Sequence, residues 1–149
     1  METQRKIKVL IVDDYDLVRE SLTALLEFFE DFEVVGTTGD GRKLLSLCST
    51  CQPDLVLMDM FMPNMDGVEA TRLIRREFPQ IQVVVLSIFT DSTLICNALK
   101  AGAISYLSKA GPISQVPLAL SNAYYGKSML APEATAVVAA TQAHKPATL

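Results

Sequence analysis

The stretch Leu55-Val-Leu-Met-Asp-Met-Phe-Met-Pro-Asn-Met-Asp-Gly67 sets an apolar run of strand length against an acidic residue, Asp59, and a turn-rich loop. Four apolar residues in a row, with no polar alternation, suit a strand buried on both faces. A carboxylate directly after such a strand sits where ligands gather in an open parallel sheet.

The same pattern recurs on both sides. Ile7-Lys-Val-Leu-Ile-Val12 reads as a strand, followed by Asp13 and Asp14. Leu17, Val18, Leu22, Leu25, Leu26 and Phe29 then recur at helical spacing. Strands are expected again at Glu33–Thr37, Gln82–Leu86 and Ser105–Leu107. Helices are expected at Arg42–Cys51 before Pro53, Val68–Phe78 before Pro79, Ser92–Ala101 before Gly102, and Ser114–Tyr125 before Gly126. Five β-α units in succession predict an α/β fold, a doubly wound five-stranded parallel sheet with helices on both faces. From Lys127 onward Ala, Thr, Pro and Gln dominate, with one candidate helix at Pro132–Thr141. Residues 1–126 are therefore expected to form one domain and 127–149 a linker.

Of 149 residues, 50% are hydrophobic and 20% charged, which excludes a disordered chain. The net charge of −4 leaves no basic face for phosphate backbones, so tight DNA binding by these residues is not expected. No apolar run is long enough to span a bilayer, and Met1-Glu-Thr-Gln-Arg-Lys6 lacks an apolar signal region, so the protein reads as cytoplasmic. Cys48 and Cys51 form a C-x-x-C late in an expected helix, with no second Cys/His pair to complete a zinc site. They read as half-buried packing residues, and Cys96 as a core residue. The single histidine, His144, lies in the tail, which excludes a histidine-based triad or metal cage.

Three carboxylates remain at two strand ends: Asp13, Asp14 and Asp59. Gathered in one cleft they repel one another unless a cation joins them. An all-oxygen donor set favours Mg²⁺. Asp14 could instead cap the first helix, but two acids directly after an apolar strand exceed what capping needs. The other strand ends offer the Ser87 hydroxyl and the Lys109 ammonium. Acids, a metal, a hydroxyl and a cation around one pocket suit phosphoryl transfer, which is mostly positioning and charge neutralisation.

At this point the sequence resembles the receiver domains of two-component response regulators, of flavodoxin-like fold. Asp59-Met-Phe-Met-Pro-Asn-Met-Asp-Gly67 matches that family's phosphoacceptor strand and loop. Val12-Asp13-Asp14 matches its acidic pair, Ser87 its Ser/Thr, Tyr106 its switch aromatic and Lys109 its lysine. Leu99-Lys-Ala-Gly-Ala103 resembles the approach to its fifth strand, and the likeness covers roughly residues 6–125. It implies that Asp59 accepts a phosphoryl group from a phosphohistidine on a sensor histidine kinase. It implies that Asp14, Asp59 and the Phe61 carbonyl hold Mg²⁺ directly, with Asp13 acting largely through water. Lys109 would pair with the phosphoryl oxygens and Ser87 would donate to one of them. The phosphoryl group would then draw in the Ser87 loop and let Tyr106 turn inward, shifting the population of a state already present. Self-phosphorylation and self-dephosphorylation are the only chemistry expected, not enzymic turnover. Asp66 is expected to cap the third helix and Gly67 to allow a close turn.

Two features depart from the family. Ala110 stands where proline often follows the lysine, so a cis bond, costing about 3 kcal/mol without proline, is not expected. Phe61 and Phe89 lie two residues beyond Asp59 and Ser87, and their rings are expected to screen the phosphoryl group from water. Tyr124-Tyr-Gly-Lys-Ser-Met-Leu-Ala-Pro132 resembles the receiver exit of LuxR/NarL-type transcription factors. That likeness leads us to expect a longer regulator, touching DNA only through a helix-turn-helix domain absent from these residues and forming a homodimer on phosphorylation. A haloacid-dehalogenase-like phosphatase would need an acid at the position of Phe61. A dinucleotide-binding fingerprint at Gly39-Asp-Gly41 fails at Leu44 and follows the second strand rather than the first. A stand-alone receiver that docks on a protein partner, or one acting without phosphorylation, remains a rival.

Overall fold

Strand β1 (Ile7–Val12) is buried from Val9 to Val12, as its unbroken apolar run requires. In a computed structural model describing residues 5–143, it lies inside a five-stranded parallel sheet. The other strands are β2 (Phe32–Thr38), β3 (Leu55–Met58), β6 (Gln82–Ser87) and β7 (Ser105–Ser108), in the order β2-β1-β3-β6-β7. Between β3 and the third helix, two short strands, β4 (Phe61–Met62) and β5 (Met65–Asp66), pair antiparallel. This hairpin was not expected. Its signal was the Pro63-Asn64 pair, with Asn64 in the left-handed region at φ 64°.

The period of two along each strand divides the core. Leu10, Val12, Val56, Met58, Val83 and Val85 face one side, beneath α2 (Leu44–Cys51), α3 (Gly67–Glu77) and α4 (Ser92–Ala101). Val9, Ile11, Leu55, Leu57, Val84 and Leu86 face the other, beneath α1 (Asp16–Glu27) and α5 (Gln115–Tyr124). The doubly wound expectation therefore holds, and β1 and β3 flank the point where strand order reverses.

Local chemistry sets most helix ends. Asp66 caps α3, its carboxylate accepting from the Val68 and Glu69 amides, as expected. Asp91 caps α4 by accepting from the Leu94 amide, and Gly102 stops that helix in the left-handed conformation at φ 116°. Pro117 sits in the first turn of α5, where no helical N–H is needed. The first turn expected in the second helix is instead a 3-10 turn, Gly41–Lys43, held by the Asp40 carboxylate on the Arg42 amide. The Arg42 side chain and its amide both bond Asp40, and they hold its carboxyl below the ordinary aspartate value. The residue before α1 is Tyr15, with no side-chain cap, so Asp14 does not cap that helix. Cys96 is half-buried rather than core, with Sγ 3.8 Å from Thr141 Oγ1. Cys48 is buried and Cys51 half-buried in α2, as packing residues would be. A last helix, α6 (Pro132–Ala143), starts on a proline, which suits a first helical position.

Candidate functional site

Sheet register builds the cleft. Val12 pairs with Met58, so the residues that follow them, Asp13 and Asp59, emerge side by side. The Asp59 amide donates to the Val12 carbonyl at 3.0 Å, fixing that adjacency. On the other side Ser87 pairs with Ser108, and the Lys109 amide donates to the Ser87 carbonyl at 2.9 Å. Three strands therefore deliver the residue after their last, Asp13, Asp59 and Lys109, and β6 its own last residue, Ser87, to one rim.

Asp13 and Asp59 are almost fully buried, and Asp14 is half-buried. Carboxylate oxygens of all three lie within 4.8 Å of one another. Lys109 reaches in from the end of β7, its Nζ 2.7 Å from Asp13 Oδ2 and 2.9 Å from Asp59 Oδ2. Burial by itself would lower the lysine pKa. The hydrogen bonds to Asp13 and Asp59, together with their charges, outweigh it and hold the ammonium above the ordinary lysine value. The other Asp59 oxygen accepts from the Met60 amide at 2.7 Å. Asp13 Oδ1 accepts from the Tyr15 amide at 3.0 Å.

The balance is uneven. Three carboxylates face one ammonium, leaving two negative charges in a low-dielectric cleft. Asp14 Oδ1 is buried without a hydrogen-bond partner among the described residues. An orphaned buried carboxylate oxygen is costly. The all-oxygen donor set, the excess charge and the orphaned atom fit a divalent cation of the Mg²⁺ kind.

The remaining expected residues are placed differently. Ser87 is fully buried at the end of β6, and its hydroxyl accepts from the Phe89 amide at 3.1 Å, closing its own turn. Tyr106 is fully buried and donates its hydroxyl to the Phe89 carbonyl. Burial pushes its phenol up to about 12, against the Ser87 hydroxyl and with help from the Asp91 and Asp59 charges. Phe61 lies on β4 with its ring half-exposed, edge to face with Phe89 at 4.6 Å between centroids. No peptide bond among the described residues is cis, so Lys109 and Ala110 are joined in the ordinary way. His144 lies outside the described residues.

Two neighbours escaped the sequence reading. The Tyr15 ring lies 5.8 Å from Lys109 Nζ, close enough for a cation–π contact. Arg19 donates to the Asp13 carbonyl and pairs with Asp16, which leaves its charge unavailable to the cleft carboxylates. The only signal for Tyr15 was its position directly after the acidic pair. For Arg19 it was the i, i+3 spacing to Asp16.

Comparisons with known proteins converge. Residues 9–121 match the family model described as response regulator receiver domain. The chain is 41% identical over 127 residues to the response regulator protein VraR of Staphylococcus epidermidis, covering 85% of this chain and 61% of that protein. It is 40% identical over 130 residues to the transcriptional regulatory protein LnrK of Bacillus subtilis, covering 87% and 59% respectively. It thus spans about three-fifths of the length of these curated relatives. Among solved structures, a LuxR-family response regulator from an Aurantimonas species superposes with a TM-score of 0.86 at 26% identity, covering 94% of this chain and 100% of that one. The receiver domain of NarL from Mycobacterium tuberculosis superposes with a TM-score of 0.79 at 28% identity, covering 83% and 100%. With LuxR/NarL-type regulators as its relatives, the chain belongs to the response regulator receiver domain family, whose members are signal-receiving domains and not catalytic enzymes.

Proposed function

We propose that the chain is a phosphorylation-dependent switch, taking a phosphoryl group on Asp59 from a sensor histidine kinase in the cytoplasm. The observation that carries this reading is the Asp59 carboxylate, buried beside Asp13 and Asp14 and bonded to Lys109 at 2.9 Å. An Asp59 oxygen attacks phosphorus, a P–O bond forms, and the P–N bond to the donor imidazole breaks with its electron pair going to nitrogen. Asp14, Asp59 and the Phe61 carbonyl would hold Mg²⁺, with Asp13 linked through water. When bound, the ion offsets negative charge on the phosphoryl oxygens.

Lys109 turns from the carboxylates to a phosphoryl oxygen as charge builds there. The Ser87 hydroxyl, whose oxygen accepts from the Phe89 amide, still has its own proton to donate to another. Its shift inward carries the Phe89 carbonyl, the partner of Tyr106. Residues 1–126 are the receiver in this reading, and 127–149 lead toward a DNA-binding domain that these residues do not include. Transcription is the output we infer, because LnrK, a 40% identical relative, is named a transcriptional regulatory protein. Phosphorylation then favours a homodimer.

Intact-mass spectrometry after incubation with acetyl phosphate tests the reading. A single phosphate adduct is expected on the parent, absent without Mg²⁺ and absent from Asp59→Asn. No adduct with any phosphodonor would leave a receiver that binds its partners unphosphorylated.

A further inference from the structure

The chain does not leave the domain after α5. Met129 donates its amide to the Ser105 hydroxyl at 2.9 Å, and Ala131 donates its amide to the Tyr106 carbonyl at 2.9 Å. Leu130 bridges Tyr106 in parallel, so this segment covers the open edge of β7. Beyond it α6 lies against α4. Ala131 and Ala134 are buried, and Val137 packs on the cluster that holds Leu94, Ile95 and Tyr106.

Local propensity supports α6 only in part: five of its 12 residues are alanine, but the helix is short. It has 12 residues, about the length at which isolated helices are marginal in water. Thr135, Val137, Val138 and Thr141 are β-branched, which lowers helix propensity further. Its order therefore depends in part on packing against α4. The Tyr106 ring faces the α4 side from the edge strand. Its hydroxyl bonds the Phe89 carbonyl, and Ala134 of α6 lies in the same buried cluster as the ring.

We propose that docking of α6 and burial of the Tyr106 ring form one two-state element, which ties the chain beyond the receiver to the rim of the Asp59 cleft. Ala134 packs into the cluster that holds the ring, and the Ala131 amide holds the Tyr106 carbonyl, only while α6 is docked. The ring in turn supplies part of the apolar floor on which α6 rests. The consequence for signalling rests on the reading of Asp59 as phosphoacceptor: drawing in the Ser87–Phe89 turn favours the buried ring, and so favours docked α6. Linkage then requires that docking favour the modified cleft by the same factor.

Two measurements on the 149-residue chain separate this proposal from that reading. In the first, fluorotyrosine is incorporated and the Tyr106 resonance is assigned with Tyr106→Phe. Ala134→Asp is expected to expose the Ala131 amide to hydrogen exchange and to move the Tyr106 resonance toward the solvent-exposed position. Val137→Ser, a milder change, is expected to do the same to a smaller extent. A lost Ala131 protection with an unmoved Tyr106 resonance overturns the proposal, and so does an Ala131 amide that stays protected in both variants. In the second, beryllofluoride with Mg²⁺ serves as the phosphoryl mimic. Protection of the Ala131 amide should rise by roughly fivefold or more, the lower end of ordinary site-to-site coupling. An adduct that forms without changing that protection overturns the coupling. Failure to form any adduct sinks the Asp59 reading instead, and the first measurement still decides the link between α6 and Tyr106.

Discussion

The rings of Phe61 and Phe89 meet edge to face, with centroids 4.6 Å apart and planes at 76°. Phe61 comes from the hairpin after β3 and Phe89 from the turn after β6, so the pair spans the two loops beside Asp59. Phe61 is 52% exposed and Phe89 41%, so both residues meet solvent beside these loops. On the proposed reading a phosphoryl group on Asp59 would be lost to an attacking water, and the paired rings would narrow its approach. Phe61→Asn and Phe89→Ala are expected to speed decay of the phosphoprotein several-fold, followed by intact mass over time. Unchanged decay in both variants would remove the screening role.

Lys109 is the counter-charge to two buried carboxylates, so its removal has a defined sign. Lys109→Ala leaves Asp13 and Asp59 buried and unpaired, and should cost about 3 kcal/mol in urea unfolding with a chelator present. Excess Mg²⁺ should return part of that loss, since an ion bound only by the folded state stabilises it by mass action. Asp14→Ala should behave oppositely. It relieves repulsion in chelator but forfeits most of the Mg²⁺-dependent gain. Equal Mg²⁺ response in parent and Asp14→Ala would argue against a cation held at this cleft.

Gly67 and Asp66 separate two structural roles at the start of α3. A Cβ on Gly67 would stand 2.4 Å from the Met60 carbonyl oxygen, which is backbone and cannot swing away. Gly67→Ala should therefore destabilise by about 1–3 kcal/mol, although the same change in an unhindered helix would stabilise. It also presses on the residue next to Asp59, so slower phosphorylation should accompany it. Asp66→Ala removes the cap and should cost about 1 kcal/mol, with phosphorylation little changed. Chemical denaturation and adduct formation measure both.

Tyr106 makes the alkaline limb of stability predictable. Its phenol is pushed from an ordinary 10.0 to about 12, chiefly by burial. The folded state then holds the proton more tightly than the unfolded state, so the contribution is fully present below about pH 10. It is lost as pH rises toward 12, on the order of 2 to 3 kcal/mol across the window. Lys109, also raised, loses its contribution in the same direction and is shared by a Tyr106→Phe control. The parent should therefore lose more stability than Tyr106→Phe between pH 10 and 12. Parallel curves for the two proteins would place the ring in water.

Much of this molecule was legible in one dimension. Strand runs such as Val83–Leu86 announce themselves because burial on both faces removes polar alternation. Asp66 could be read as a cap because a capping carboxylate acts on amides two and three residues ahead. The errors lie where neighbours in space outrank neighbours in sequence. The second helix was expected to begin at Arg42, yet its first turn is 3-10 and the α-helix begins at Leu44. Cys96 had the apolar surroundings of a core position, yet it faces Thr141 on α6.

What the sequence by itself determined is the succession of the five sheet strands and their helices, the acids at the ends of β1 and β3, and the hydroxyl and ammonium at the ends of β6 and β7. These follow from period, turn chemistry and residue type, all of them local. Tertiary structure alone decided that Lys109 bonds both Asp13 and Asp59, that Asp14 Oδ1 is left without a partner among the described residues, that the segment 129–131 returns to cover the edge beside Tyr106, and that α6 packs on α4. Each depends on the register of strands far apart in the chain and on side-chain rotamers chosen by packing, and neither is written in the local pattern.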